Sequence, residues 1–123
     1  MTDDTTLHRQ VNTSWIQNGR PSSQTFRPTP KDQFLLSLYD GDRIDAEASW
    51  KHFISAGNNS VGVLSLLVRE FVAEELTCHS SPEVFAEHAH ADYTGFTEGQ
   101  MRGIGKRLLV VALNRGWQYQ VQS

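Results

Sequence analysis

The sequence predicts an α+β fold: a single-domain two-layer sandwich in which a mixed β-sheet carries about three helices, mainly on one face. Three features point there. Stretches that alternate with period two and stretches with helical period follow one another in the order β-β-α-β-α-β-α-β. The most apolar run, SVGVLSLLV at 60–68, is rich in β-branched residues and suits a buried central strand. The 123 residues fit one domain, with no internal repeat and no linker long enough to divide it.

Taken in order, residues 1–6 are expected to form a flexible N-terminus. LHRQV at 7–11 alternates, with Leu7, Arg9 and Val11 on one face. GRPSSQTFRPTPKD at 19–32 holds three prolines among hydroxyl residues and reads as an irregular surface segment pinned by Phe26. FLLSLYDG at 34–41 is a strand that ends in the turn Asp40-Gly41-Asp42. Asp45 is an N-cap for a helix over 46–56, which Gly57 stops; Trp50, Phe53 and Ile54 form its apolar face. REFVAEEL at 69–76 turns helical, with Phe71, Val72 and Leu76 inward. Thr97 and Gln100 make a capping box before a last helix. Met101, Ile104, Leu108, Val111 and Ala112 carry its period to Gly116. WQYQV at 117–121 alternates Trp117, Tyr119 and Val121 against two glutamines, a strand with one wet face at a sheet edge.

The composition is 38% apolar and 20% charged, outside the range of disordered chains. No run is long and apolar enough to span a membrane, and MTDDTTLHRQ lacks the basic and apolar regions of a secretory signal. The lone Cys78 has no partner for an internal disulfide. Together these features give the expectation of a reducing cytoplasm. The net charge of -3 is unevenly spread: residues 1–31 carry +2, residues 32–92 carry -8 and residues 93–123 carry +3. Basic ends can neutralise the acidic middle or offer a positive patch to a partner. Nucleic acid is disfavoured. Arg102 and Lys106 lie one turn apart ahead of Trp117 and Tyr119, but the acidic middle and a pI of about 5.9 oppose it.

EHAHADYTG at 87–95 places His88, His90 and Asp92 at alternate positions. On a strand the three share a face, about 6.5–7 Å apart along the chain, and two imidazoles at that spacing can converge on one metal. On a helix they diverge. The signals compete, since Ser81-Pro82-Glu83 is a helix start while Ala89, Ala91 and Tyr93 alternate. We read a strand preceded by one helical turn. His79, with Cys78 beside it, lies a short loop away as a further candidate ligand. The spacing matches no paired zinc motif, so no cofactor is expected, with zinc or manganese as the metal if one is held. On the metal reading, His88, His90 and Asp92 would be the catalytic centre of a hydrolase.

Arg9, Arg20, Ser22, Ser23 and Arg27 are candidates for holding an anion or nucleotide, since arginine forks and hydroxyls suit phosphate. There is no P-loop and no GxGxxG. The order His8-Arg9, Ser22-Ser23, Tyr39 loosely resembles that of the NAD-contacting groups in ADP-ribosyltransferase-like and RES-type toxins. That likeness implies an NAD-using enzyme and a catalytic acid, for which Glu83, Glu87 and Glu98 are available. Cys78-His79 offers a thiolate nucleophile only if fold and charge activate the thiol.

LHRQV…SWIQNGRPSSQTFRPTPKD…LSLYDGD over residues 7–42, and HADYTG followed by a basic helix, are similar to the opening and ending of a group of short bacterial proteins. The resemblance implies a bacterial, single-domain, intracellular protein and transfers no catalytic role. The leading expectation is a small cytoplasmic interaction or accessory protein acting with a protein partner, a toxin- or defence-type module being one form. Phe26, Trp117 and Tyr119 are its candidate contact residues, and the C-terminal edge strand would also serve a homodimer. The metal-dependent hydrolase and the NAD-using enzyme are the alternatives.

Overall fold

The computed structural model describes residues 1–121. Its strands are β1 (Thr6–Gln10), β2 (Ile16–Gln17), β3 (Arg20–Pro21), β4 (Leu35–Asp40), β5 (Gly62–Leu67), β6 (Thr77–Ser80), β7 (His88–Asp92) and β8 (Tyr119–Gln120). Its α-helices are α1 (Ala46–Ser55), α2 (Val68–Val72) and α3 (Glu98–Arg115), and 3₁₀ turns cover Thr13–Trp15, Ser23–Phe26 and Pro30–Asp32. Six strands form one sheet in the order β6-β7-β4-β1-β5-β8, and β2 and β3 form a separate hairpin. The chain is thus a single α+β domain, as expected.

Every pairing in the sheet is antiparallel, which corrects the expectation of a mixed sheet. The reason lies in the crossovers. α1 joins β4 to β5, which run parallel, but β1 fills the slot between them and pairs with both. α2 joins β5 to β6, and α3 joins β7 to β8, across still wider separations. A strand-helix-strand rhythm therefore produces no adjacent parallel pair.

The same crossovers set the layers. β4 to β5 and β7 to β8 step the same way across the sheet while running in opposite directions. If both keep one hand, their helices must lie on opposite faces. They do. α1 bonds to side chains of one face, with Gln10 Nε2 donating to Ser49 Oγ at 3.0 Å. Ile104, Leu108 and Ala112 of α3 join the core on the other face with Leu7, Leu36, Leu38, Leu64 and Leu66. α2 lies with α3, through Val68 and Phe71. The helices are mainly on one face as expected, and α1 adds a partial third layer.

Side-chain capping fixes the helix ends. Asp45 accepts from Ala48 N at 2.8 Å, and Thr97 and Gln100 cap α3 reciprocally at 3.1 and 2.8 Å. α2 is a shorter helix than the expected 69–76: Val72 is 49% exposed, and Glu75 takes a positive φ of 66° to return the chain to β6. Val111 also turns outward, leaving Met101, Ile104, Gly105, Leu108 and Ala112 as the buried stripe of α3. Residues 1–6 are tied down, since Arg69 N donates to Asp3 O and Val68 N to Thr5 O, both at 3.0 Å. The acidic middle is neutralised in part by the C-terminal helix, through Arg107–Glu74 and Arg115–Glu70, both at 2.8 Å. Among the described residues, no helix is long and apolar enough to cross a membrane.

α3 crosses the 3₁₀ turn Ser23–Phe26 so closely that a Cβ on Gly105 would stand 2.9 Å from Ser23 O. The obstructing atom is backbone and cannot swing away. Gly99, by contrast, has nothing within 4 Å of its Cβ position. Gly105→Ala is expected to lower the unfolding free energy by about 1–3 kcal/mol, the usual range for overpacking. Gly99→Ala is expected to leave it unchanged or raise it by up to about 1 kcal/mol. Urea unfolding of both variants checks this, and an undisturbed Gly105→Ala variant would contradict the close approach.

Candidate functional site

The sheet divides its chemistry by face, because residues opposite one another in the ladders share a side. Ser65, His8, Tyr39 and His88 form one row across β5, β1, β4 and β7. Ser37, His90 and His79 form a second row across β4, β7 and β6. α1 adds His52 to the same side, so all five histidines of the chain belong to the α1 face.

Three elements enclose a pocket on this face, with a volume of about 300 Å³. α1 supplies His52 and Phe53, the turn between β6 and β7 supplies Val84 and Phe85, and the 3₁₀ turn Thr13–Trp15 supplies Trp15. The floor is the join between β1 and β4. β1 is in register with β5 over five residues but with β4 only at Leu7↔Asp40 and His8↔Tyr39. Past His8 the two strands part, and Arg9 fills the gap.

Arg9 alternates with Leu7 and so starts on the core side, yet its side chain lines the pocket. Its Nε donates to Thr25 O at 2.7 Å and one terminal nitrogen donates to Ser37 O at 2.9 Å. The guanidinium lies 4.9 Å from the centre of the Trp15 ring, a cation–π distance. No described carboxylate is within ion-pairing reach of it. Burial pushes the guanidinium down to about 10, which leaves it a cation at neutral pH.

Tyr39 donates to or accepts from His52 Nδ1 at 2.8 Å, according to the imidazole tautomer. Burial, helped by Glu87, pushes the phenol up to about 12. Phe85 closes the far wall, with ring centroids 4.6 Å from His52, 5.2 Å from Tyr39 and 5.0 Å from His88. The turn that carries Phe85 is held by Ser81, whose Oγ meets His88 Nδ1 at 2.5 Å and His90 Nδ1 at 3.1 Å.

The histidine stretch is a strand, with His88, His90 and Asp92 on one face. Ser81-Pro82-Glu83 makes a turn closed by Val84 N to Ser81 O at 3.1 Å, where a helical turn was expected. Among the described residues no group of three or more His, Cys, Asp or Glu is placed to hold a metal. Asp92 instead accepts from Thr94 N at 2.8 Å, and hydrogen bonding from the Thr94 side chain first, then from its backbone, holds the carboxyl below the usual range. His79 faces His90 with ring centroids 5.4 Å apart. Cys78 lies on the opposite side of β6, facing Ala91, and burial raises its thiol to about 12, which removes it as a thiolate nucleophile.

The anion candidates do not come together. Arg9 lines the pocket, and Arg27 lines a second groove of about 590 Å³ on the far side of Trp15, with Phe34, Met101 and Glu98. Arg20 is exposed on β3, and Ser23 opens the 3₁₀ turn against α3. The Ser22 Oγ is buried without a protein hydrogen-bond partner. Of the partner-contact candidates, Phe26 is internal, while Trp117 and Tyr119 are half-buried. Phe26 is 0% exposed and its carbonyl accepts from the Tyr93 hydroxyl. Trp117 packs against the core and Tyr119 stacks on Trp50 at 5.2 Å. Sequence reasoning missed Trp15, His52, Phe53 and Phe85; the available signal was a cation, Arg9, at a core-parity position between Leu7 and Val11. No family model, curated protein or solved structure matches the chain.

Burial is the largest cause that lowers His8, His88 and His90 from their ordinary 6.5. The unfolded chain therefore binds more protons than the folded one just below that value. Stability that is complete above pH 6.5 is expected to fall as the pH drops toward 5, before most carboxylates titrate. Urea midpoints at pH 7.5 and 5.0 read this, and a His88→Gln, His90→Gln variant should show a flatter profile. A midpoint that holds or rises at pH 5.0 would rule the histidine contribution out.

Proposed function

We propose that the chain is a small-molecule-binding domain, an accessory protein that works through the pocket beneath α1. One observation carries this reading. Aromatic walls from three elements distant in sequence converge over the point where β1 and β4 part. Binding sites for small molecules share that build: a concave, mostly apolar cleft with a few polar groups at fixed positions.

The pocket supports binding better than it supports chemistry. Glu83, Glu87 and Glu98, the acids an NAD-using transferase would call on, are not among its lining residues. Arg9 and Tyr39 do share it, which is the observation that favours a nucleotide as one occupant. A metal-dependent hydrolase at His88, His90 and Asp92 has less support, because among the described residues no three such groups are placed to hold a metal.

A second reading, a protein partner that adds a strand, is favoured by β6. It is an edge strand of four residues, Thr-Cys-His-Ser, with no lysine or proline to guard it. The C-terminal edge offers less, since β8 pairs through only two residues.

An amide-detected NMR screen against a library of small aromatic fragments tests the pocket. Bound fragments are expected to shift the signals of Tyr39, His52, Phe53 and Phe85 together. Phe53→Ala should weaken those fragments about tenfold or more, through lost apolar contact. Shifts that cluster elsewhere, or none at all, would remove this reading.

A further inference from the structure

We infer that the pocket takes a planar aromatic monoanion, an aryl carboxylate, whose charged group meets Arg9. The inference deepens the binding reading above and rests on it.

Charge is the first ground. Among the pocket's lining residues Arg9 is the only lysine or arginine, and none is an aspartate or glutamate. This is unusual in a chain with more acids than bases, 14 against 11. Asp32 acts on Arg9 through space but forms no ion pair with it, so part of the desolvation cost of the guanidinium is left for a bound anion to offset. Arg43, Arg69, Arg107 and Arg115 each have a carboxylate partner in this structure. Arg9 has two carbonyls instead.

Donor count is the second ground. A guanidinium has five N–H groups in a planar fork. Among the described residues two are used, on Thr25 O and Ser37 O. Those bonds fix the fork in place, so a ligand oxyanion meets a donor already held.

Shape and valence set the rest. Trp15, Phe53, Phe85, Tyr39 and His52 all line the pocket with aromatic rings, and aromatic walls favour a planar ring, stacked or edge-on, over a branched or puckered one. A volume of about 300 Å³ lies at the small end for ligand pockets, suiting one or two fused rings. One arginine balances one negative charge. Two imidazoles, His52 and His88, also line the pocket, and His88 is held toward its neutral form by burial and by His90. A monoanion fits this balance better than a phosphate monoester, which is close to a dianion at neutral pH.

Four probes on the unaltered chain test the inference at pH 7.5, by amide-detected NMR titration: 2-naphthoate, 2-naphthamide, cyclohexanecarboxylate and 2-naphthyl phosphate. The expected result is that 2-naphthoate shifts Tyr39, His52, Phe53 and Phe85 and binds about ten- to a hundredfold tighter than the amide. If amide and acid shift these residues with equal affinity, the charge inference fails and the pocket reading stands. Cyclohexanecarboxylate equal to 2-naphthoate overturns the planar requirement, and a tighter phosphate overturns the monoanion. If none of the four moves these residues, inference and binding reading both fall. Arg9→Met should erase the preference for acid over amide, with Arg9→Lys keeping part of it. Should Arg9→Met fail to fold, the four-probe comparison decides by itself.

Discussion

β1 lies at the centre of the sheet and is bonded unequally to its two neighbours. It runs in register with β5 for five residues and with β4 for two. A central strand that parts from its neighbour leaves backbone groups without ladder partners, and these must be satisfied some other way. Arg9 does this for Ser37 O and also ties β1 to Thr25 O, in the turn that α3 packs upon. One side chain thus holds the sheet, the 3₁₀ turn Ser23–Phe26 and the pocket floor in a single arrangement. Tyr93 anchors the same turn through Phe26 O, and Gly105 lets α3 approach it closely. A change at Arg9 acts on all of these at once, so its effects on fold and on binding have to be separated by the ligand series.

The hand of the crossovers then decides where the opening leads. Because β4–α1–β5 and β7–α3–β8 step the same way with opposite strand direction, α1 and α3 take opposite faces. α3 and α2 seal the face of Leu7, Leu36, Leu64 and Leu66 into an apolar core. α1 is only ten residues long and covers part of the other face. The uncovered part carries Ser37, His79, His88 and His90, and the pocket forms at the boundary between covered and open regions. Stability and chemistry are therefore assigned to different sides of one sheet by strand parity, and Arg9 is the residue that passes between them.

Much of the fold was legible because local signals agreed with the tertiary outcome. Asp45, Gly57, Thr97, Gln100 and Gly116 mark helix ends by cap chemistry that needs no distant partner. The alternation of His88, His90 and Asp92 gave their shared face directly. What was not legible depends on contacts far apart in sequence. Nothing local says that β1 would insert between β4 and β5, so a mixed sheet was the natural expectation. Phe26 sits among prolines and serines and reads as surface, but the turn it ends is clamped by Tyr93, 67 residues away. The walls of the pocket come from residues 15, 53 and 85, whose meeting no periodicity encodes. The β2–β3 hairpin was not among the sequence expectations, although its turn is Asn18-Gly19, a strong hairpin signal, with both residues at positive φ.

Several local rules are broken at Arg9, in the turn it bonds to and at the entry to β4. The guanidinium is a partly buried cation without a carboxylate, and Ser22 Oγ and Thr25 Oγ1 are buried without hydrogen-bond partners. Gln33 and Phe34, which lead into β4, both take left-handed backbone conformations at φ 55° and 66°. Elsewhere the helices are capped, the core is contiguous, and Arg107 and Arg115 are paired with carboxylates. If stability alone shaped the gap between β1 and β4, an apolar or neutral side chain would fill it with less desolvation cost. Departures from local consistency gather where a structure is shaped by function as well as by folding. Arg9 bonds to Thr25 O in the turn that holds both unpartnered hydroxyls, which is why the proposed site centres on Arg9 rather than on the more conspicuous histidines of β7.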